Sequence, residues 1–480
     1  MLVLDYNLLV SISRSSQPKL EQSSSDGASL ELDEEPEFSL AKACVEAMGP
    51  AGEGFVAVRG MENYARLREQ VLPLAQKLAL MPNSERAAIL KEHGLGTDVP
   101  LKDPGRPVSS FAAQLRFESL LELDNIGSIS KDIYDNQKAQ RCAHGDSFSE
   151  LGNLFKQLGM CMVRVGLLIA RLFDAYQSHA GLCESSLEQA ILESGTAKGR
   201  LIHYHSLLEK DILRSLQNSK TQKQNKNASK ARISEVWNAA ADSGVSTLWQ
   251  QWHCDYGIFT VLTSPLFLKP TRDVPSEPDV ATKRWTEPAV NGDHWKVDHK
   301  LSEGDSNQLQ SCDNRSIQEE KPRSSRSQQL SSSSQDLNFS MQECAPPDGY
   351  SSLRVMDAHS RTTSVSIPSD YLIVQVGDAA QLLSGGELVA RPHCVMRPTS
   401  DRDVSRQTMA VFLQPAWDRS LSIPPGTAQE RALEAGGVAT NLETHIPLLA
   451  SRWKDGCTFA EFSKETTRQY YGADGRQSRK

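Results

Sequence analysis

The 480-residue sequence lacks most of what would mark a disulfide-stapled, membrane-spanning or nucleic-acid-binding protein. It has nine cysteines, at positions 44, 142, 161, 183, 254, 312, 344, 394 and 457, an odd number with no CxxC pair. That pattern fits reduced thiols in a cytoplasmic or nuclear protein better than a disulfide framework. The N-terminus has no basic n-region and no long apolar h-region, so no secretory signal is expected. The most apolar window, 159–173, is interrupted by Arg164 and Arg171 and is too short to span a bilayer. Basic residues are scattered and the net charge is −8, which argues against nucleic acid as a partner. Apolar residues make up 39% of the chain, a lean share that fits one sizeable core accompanied by disordered polar segments.

Those segments are visible in the local composition. Residues 1–38 are Ser-, Asp- and Glu-rich and read as a disordered tail. Residues 216–232 read as a basic polar loop without aromatic interleaving. Residues 269–348 are rich in Ser, Gln and charge, with four serines in a row at 331–334, and read as a disordered insertion able to recruit a protein partner. What remains is 39–215, an N-terminal helical region with the first strands, and 233–268 with 349–470, a β-rich core. The clearest helix is expected over 147–177, where Leu151, Leu154, Phe155, Leu158, Met162, Val165, Leu168 and Leu172 form one apolar stripe. Short strands are expected at 54–58, 199–205, 258–262, 370–376 and 408–413, and a final helix near 458–470.

One stretch carries chemistry. In Trp252-His253-Cys254-Asp255-Tyr256-Gly257, His253 and Asp255 are two residues apart, so on an extended chain both leave the same face. A second histidine follows in Arg391-Pro392-His393-Cys394. Two histidines and one carboxylate with the remaining positions open suit a non-haem Fe(II) that must also bind O₂ and a co-substrate. An HxD alone is a weak signal.

The surrounding residues strengthen it. His253-Cys254-Asp255-Tyr256-Gly257 with its following apolar strand, 372–386, His393-Cys394-Val395, and Arg406-Gln407-Thr408 followed by Phe412 and Pro415 stand in that order. In this the chain resembles the plant-type 2-oxoglutarate- and Fe(II)-dependent dioxygenases, the isopenicillin N synthase-like group. Of the 137 residues between Asp255 and His393, the polar segment 269–348 accounts for 80, leaving 57, a spacing like the family's. The inserted length costs closure entropy only logarithmically.

The resemblance implies a mixed α+β fold, a double-stranded β-helix (jelly roll) with flanking helices. It implies His253, Asp255 and His393 as metal ligands, and Arg406, Thr408 and Tyr204 as 2-oxoglutarate contacts, with ascorbate as reductant. Thr408 stands where the family has serine and keeps a hydroxyl donor. Tyr204 matches a family tyrosine only in part, because Ile202 replaces the usual asparagine, and Cys394 stands where the family commonly has arginine. The activity implied is oxidation of an unidentified small organic substrate with release of succinate and CO₂; the sequence does not give the oligomeric state, and a monomer is expected. An iron oxidase that does not use 2-oxoglutarate and a non-catalytic scaffold stand beside it as alternatives.

Overall fold

The computed structural model describes residues 1–15, 36–99, 101, 103, 105–117, 148–181, 186–221, 247–271, 341–434 and 446–471. The chain divides into one unit formed by Met1–Pro270 with Met341–Lys480 and a second formed by Thr271–Ser340. Nearly all of the second, together with 222–232 of the expected polar loop and 233–246 of the expected β-rich core, lies outside the described residues.

The first unit is mixed α and β. Its strands are β1 (Val3–Asp5), β2 (Phe55–Arg59), β3 (Val108–Arg116), β4 (Thr196–Tyr204), β5 (Leu248–His253), β6 (Phe259–Thr263), β7 (Leu266–Pro270), β8 (Met341–Cys344), β9 (Leu353–Met356), β10 (Thr362–Ser364), β11 (Leu372–Val376), β12 (His393–Met396) and β13 (Ser405–Leu413). Nine form a large sheet in the order β1-β2-β11-β6-β13-β4-β3, with β7 also on β13 and β8 on β7. The other four form a small sheet, β10-β9-β12-β5. Among the described residues every pairing is antiparallel except β1 with β2.

The central strands are apolar on both faces because both faces are covered. On β2 and β11, Val56, Val58, Leu372 and Val374 enter the main core. Their alternate neighbours Phe55, Ala57 and Ile373 pack against Leu353 and Val355 of the small sheet. A second cluster, Ile202, Tyr204, Trp249, Val395 and Ala410, joins the two sheets near the other end of the small one. The long helix, Leu151–His179, buries the expected stripe against the far face of the large sheet. Gly166 leaves room for a side chain of the sheet: a Cβ there would lie 2.0 Å from Leu413 Cδ1. Among the described residues no helix is long and apolar enough to cross a membrane.

Three expectations need correction. Residues 1–15 are not a disordered tail: β1 pairs with β2, and Leu4 and Leu9 of the strand and following helix are buried in the main core. The Ser- and Glu-rich composition after residue 10 conceals the apolar residues before it. Residues 341–348 of the expected insertion belong to the fold, because β8 extends the large sheet through β7, with Phe267 opposite Cys344. The stretch from 216 begins as the last turns of a helix, Leu207–Thr221.

Candidate metal centre

His253 ends β5 and His393 begins β12, and the two strands pair with these residues opposite each other. Their rings lie 4.2 Å apart between centroids. Asp255 is two residues further on, in the link 254–258 that leaves the small sheet and enters the large one at β6. The convergence of His253 and Asp255 therefore comes from a crossover between sheets and not from one strand face.

That crossover is held from several sides. Asp378 N donates to Asp255 O at 2.8 Å, Ala379 N to Gly257 O at 3.0 Å, and Ile258 N to Leu413 O at 2.8 Å. Tyr470 Oη, on the last helix, accepts from Cys254 N at 3.1 Å. The backbones approach too closely for side chains: a Cβ on Gly377 would lie 2.2 Å from Gly257 O, and one on Gly257 would lie 2.7 Å from Leu413 O. Asp378 itself is tied to Arg452 by a buried ion pair at 2.7 Å. Fixing the link fixes Asp255.

The donor atoms converge. Asp255 Oδ1 lies 3.8 Å from His253 Nε2 and Oδ2 lies 3.7 Å from His393 Nε2, and one donor atom from each residue lies within 4.8 Å of the others. His253 Nδ1 is 2.8 Å from Gln251 O and His393 Nδ1 is 3.1 Å from Arg391 O. A carbonyl only accepts, so each Nδ1 carries a proton, and in the neutral imidazole that leaves the Nε2 lone pair on the side of Asp255. Burial, aided by the neighbouring His393, pushes the His253 pKa down to about 4, against the pull of Asp255, and so favours the neutral ligand form.

The expected co-substrate residues divide. Arg406 is buried on β13 opposite Tyr204 of β4. Its Nε donates to Ser351 O at 3.0 Å, and its guanidinium carbon lies 5.1 Å from the centre of the Tyr204 ring. One guanidinium nitrogen, Nη1, is buried without a hydrogen-bond partner among the described residues. A buried charged donor left unpaired is costly, which makes it a ready anchor for an anion. Tyr204 Oη donates to Gln250 Oε1 at 2.8 Å, and Gln250 Nε2 lies 3.0 Å from His253 Nε2. Arg406, Tyr204, Gln250 and His253 thus form a continuous polar line leading to the triad. Thr408 differs from expectation: its hydroxyl donates to the Thr263 carbonyl at 3.2 Å, also 3.2 Å from the Thr263 hydroxyl, and is committed to the sheet. Sequence reasoning missed Gln250, for which no pattern gave a signal. Only the pairing of β5 with β12 and the nearness of Tyr204 reveal it.

No family model and no curated protein matches the chain. Among solved structures, a full-length Neurospora crassa protein in complex with alpha-KG is similar at 12% identity and a TM-score of 0.47, over 96% of this chain and 93% of that one. The Arabidopsis thaliana dioxygenase for auxin oxidation 1, in complex with 2-oxoglutarate, is similar at 12% identity and 0.41, over 89% and 98%. The rice dioxygenase for auxin oxidation is similar at 13% identity and 0.41, over 92% and 91%. With TM-scores below 0.5, these likenesses decide nothing about this chain.

Proposed function

We propose that this chain is a non-haem Fe(II)- and 2-oxoglutarate-dependent dioxygenase that oxidises a small organic substrate, with the two sheets as the halves of a double-stranded β-helix. One observation carries the reading: two histidine Nε2 lone pairs and one carboxylate converge, each imidazole proton is fixed on the far nitrogen, and a partnerless guanidinium nitrogen lies along the same polar line. A donor set of two neutral nitrogens and one carboxylate suits Fe(II) and leaves positions open for other ligands. Bound iron and 2-oxoglutarate would supply the oxidising chemistry, consuming O₂ and releasing succinate and CO₂.

The chain's own residues do the rest. His253, Asp255 and His393 hold the ion, and the Gln251 and Arg391 carbonyls keep both imidazoles in the ligating tautomer. Arg406 Nη1 anchors the far carboxylate of the co-substrate, while the Ser351 carbonyl and the Tyr204 ring hold the guanidinium in place. Thr408 acts indirectly, through Thr263 and the strand that carries Arg406. Ile202, Trp249, Val395 and Ala410 supply an apolar wall that excludes water.

The test is succinate formation from 2-oxoglutarate by purified protein with Fe(II) and ascorbate, wild type against His253→Ala. Triad-dependent succinate supports the reading. Absence of succinate, together with no binding of metal or 2-oxoglutarate, overturns it.

A further inference from the structure

The sheet carries a second group of ligating side chains that the proposed oxygenase site does not use. His203 and His205 flank Tyr204, and their rings meet edge to face at 4.4 Å between centroids. Both are fully buried. Glu209, in the first turn of the helix Leu207–Thr221, places Oε2 3.0 Å from His203 Nε2 and 3.7 Å from His205 Nδ1. One donor atom from each of the three lies within 4.8 Å of the others. A tetrahedral ion about 2.0–2.1 Å from each donor sets the donors roughly 3.3 Å apart, between the two observed spacings.

Part of this group has a local structural reason. Ser206 N donates to Glu209 Oε2 at 2.9 Å and Glu209 N to Ser206 Oγ at 3.1 Å, which closes a capping box on the helix. Gln76 Nε2 also donates to Glu209, at 2.7 Å. His205 is not explained in this way. Its Nε2 lies 2.8 Å from Ser109 Oγ, but its Nδ1, which faces Glu209, is buried with no hydrogen-bond partner among the described residues. If Nε2–H donates to Ser109, Nδ1 presents a lone pair to the gap between His203 and Glu209, as in a ligating histidine oriented by an outer partner.

We infer that His203, His205 and Glu209 form an internal metal site for a Zn(II)-class ion, separate from the His253 triad. Two imidazole nitrogens and one carboxylate oxygen suit zinc, with the Gln407 side-chain amide, 3.0 Å from His203 Nδ1, turned so that its oxygen accepts the Nδ1 proton and His203 Nε2 is left to ligate. Since none of the three side chains is exposed, the ion enters as the chain folds and then resists chelators. Arg106, Lys210 and Arg397 stand close enough to act on His205 and raise the cost of a dication there. Glu209 supplies the only negative charge of the three donors, so retention depends on it.

The experiment uses the full chain expressed in zinc-supplemented medium, dialysed against EDTA in the folded state and assayed for zinc by mass spectrometry. Wild type and His253→Ala are expected to keep one zinc per chain, and Glu209→Gln to keep none. Glutamine preserves the acceptor of the capping box, so the helix cap survives while the charge is lost. Crystals of the wild type measured at the zinc edge locate the ion, and an anomalous peak within ligand distance of His205 Nδ1 supports the inference even if Glu209→Gln fails to fold. Folded wild type without zinc, both as purified and after refolding with excess Zn(II), overturns it. So does zinc retained equally by a folded Glu209→Gln, or a peak elsewhere.

Discussion

Gln250 Nε2 lies 3.0 Å from His253 Nε2, the ring nitrogen that faces Asp255. With the His253 proton held on Nδ1, the amide donates into the lone pair a metal would use. An ion must displace that bond. The net value of such a bond is about 1 kcal/mol, or roughly fivefold in affinity. Gln250→Ala is therefore expected to tighten Mn(II) binding about fivefold by calorimetry. Weaker binding would mean that the amide orients the imidazole and does not compete for it.

Arg406 and the triad should be separable. Arg406→Lys keeps the charge but loses the planar fork that meets a carboxylate and stacks on Tyr204. The expected outcome is a 2-oxoglutarate Kd raised about tenfold or more, the scale of a lost hydrogen bond to a charged group. Mn(II) affinity should stay at the wild-type value. A lysine variant that binds 2-oxoglutarate as well as wild type removes Arg406 as the anchor.

The Asp378–Arg452 pair is buried, with side-chain exposures of 4% and 2%, and Asp378 N holds the carbonyl of Asp255. Burial pushes the Asp378 carboxyl pKa up while Arg452 opposes it. Arg452→Met leaves a buried carboxylate unpaired and should cost about 3–5 kcal/mol in urea unfolding. Arg452→Met combined with Asp378→Asn should recover most of that loss. No recovery would mean that Arg452 stabilises through its Pro447 carbonyl bond and its packing on Phe462 and Tyr470 instead.

Burial pushes the Cys44 thiol from 9.0 up to about 12. The folded chain keeps this proton where the unfolded chain has lost it, so the native state binds more protons between these two values. Stability contributed by the neutral thiol is present below about pH 9 and lost as pH rises toward 12. Denaturation midpoints of wild type should fall more steeply over that range than those of Cys44→Ala. Parallel slopes would remove Cys44 from the alkaline response. At pH 8 the native thiol should resist alkylation and react only in denaturant.

Some of this architecture was legible in residue order. The stripe from Leu151 to Leu172 forecast the long helix because a repeat near 3.6 needs no partner to be seen. The apolar runs at 372–376 and 408–413 forecast buried strands for the same local reason. The N-terminal strand escaped notice because three residues carry too little pattern, and only the free edge of β2 gives them a place.

The candidate metal centre divides along the same line. His253 and Asp255, two residues apart, could be paired from the sequence, and residue type alone limited what they could ligate. Bringing His393 to them across 140 positions required β5 and β12 to pair in register. Directing both Nε2 atoms inward required two backbone carbonyls in place. Leaving Arg406 Nη1 without a partner while committing Thr408 to Thr263 depended on which neighbours the strands acquired. Residue identity fixes what a side chain can donate, accept or ligate. Whether that capacity is used within the sheet or left for a ligand depends on neighbours distant in sequence, and that was decided by tertiary structure.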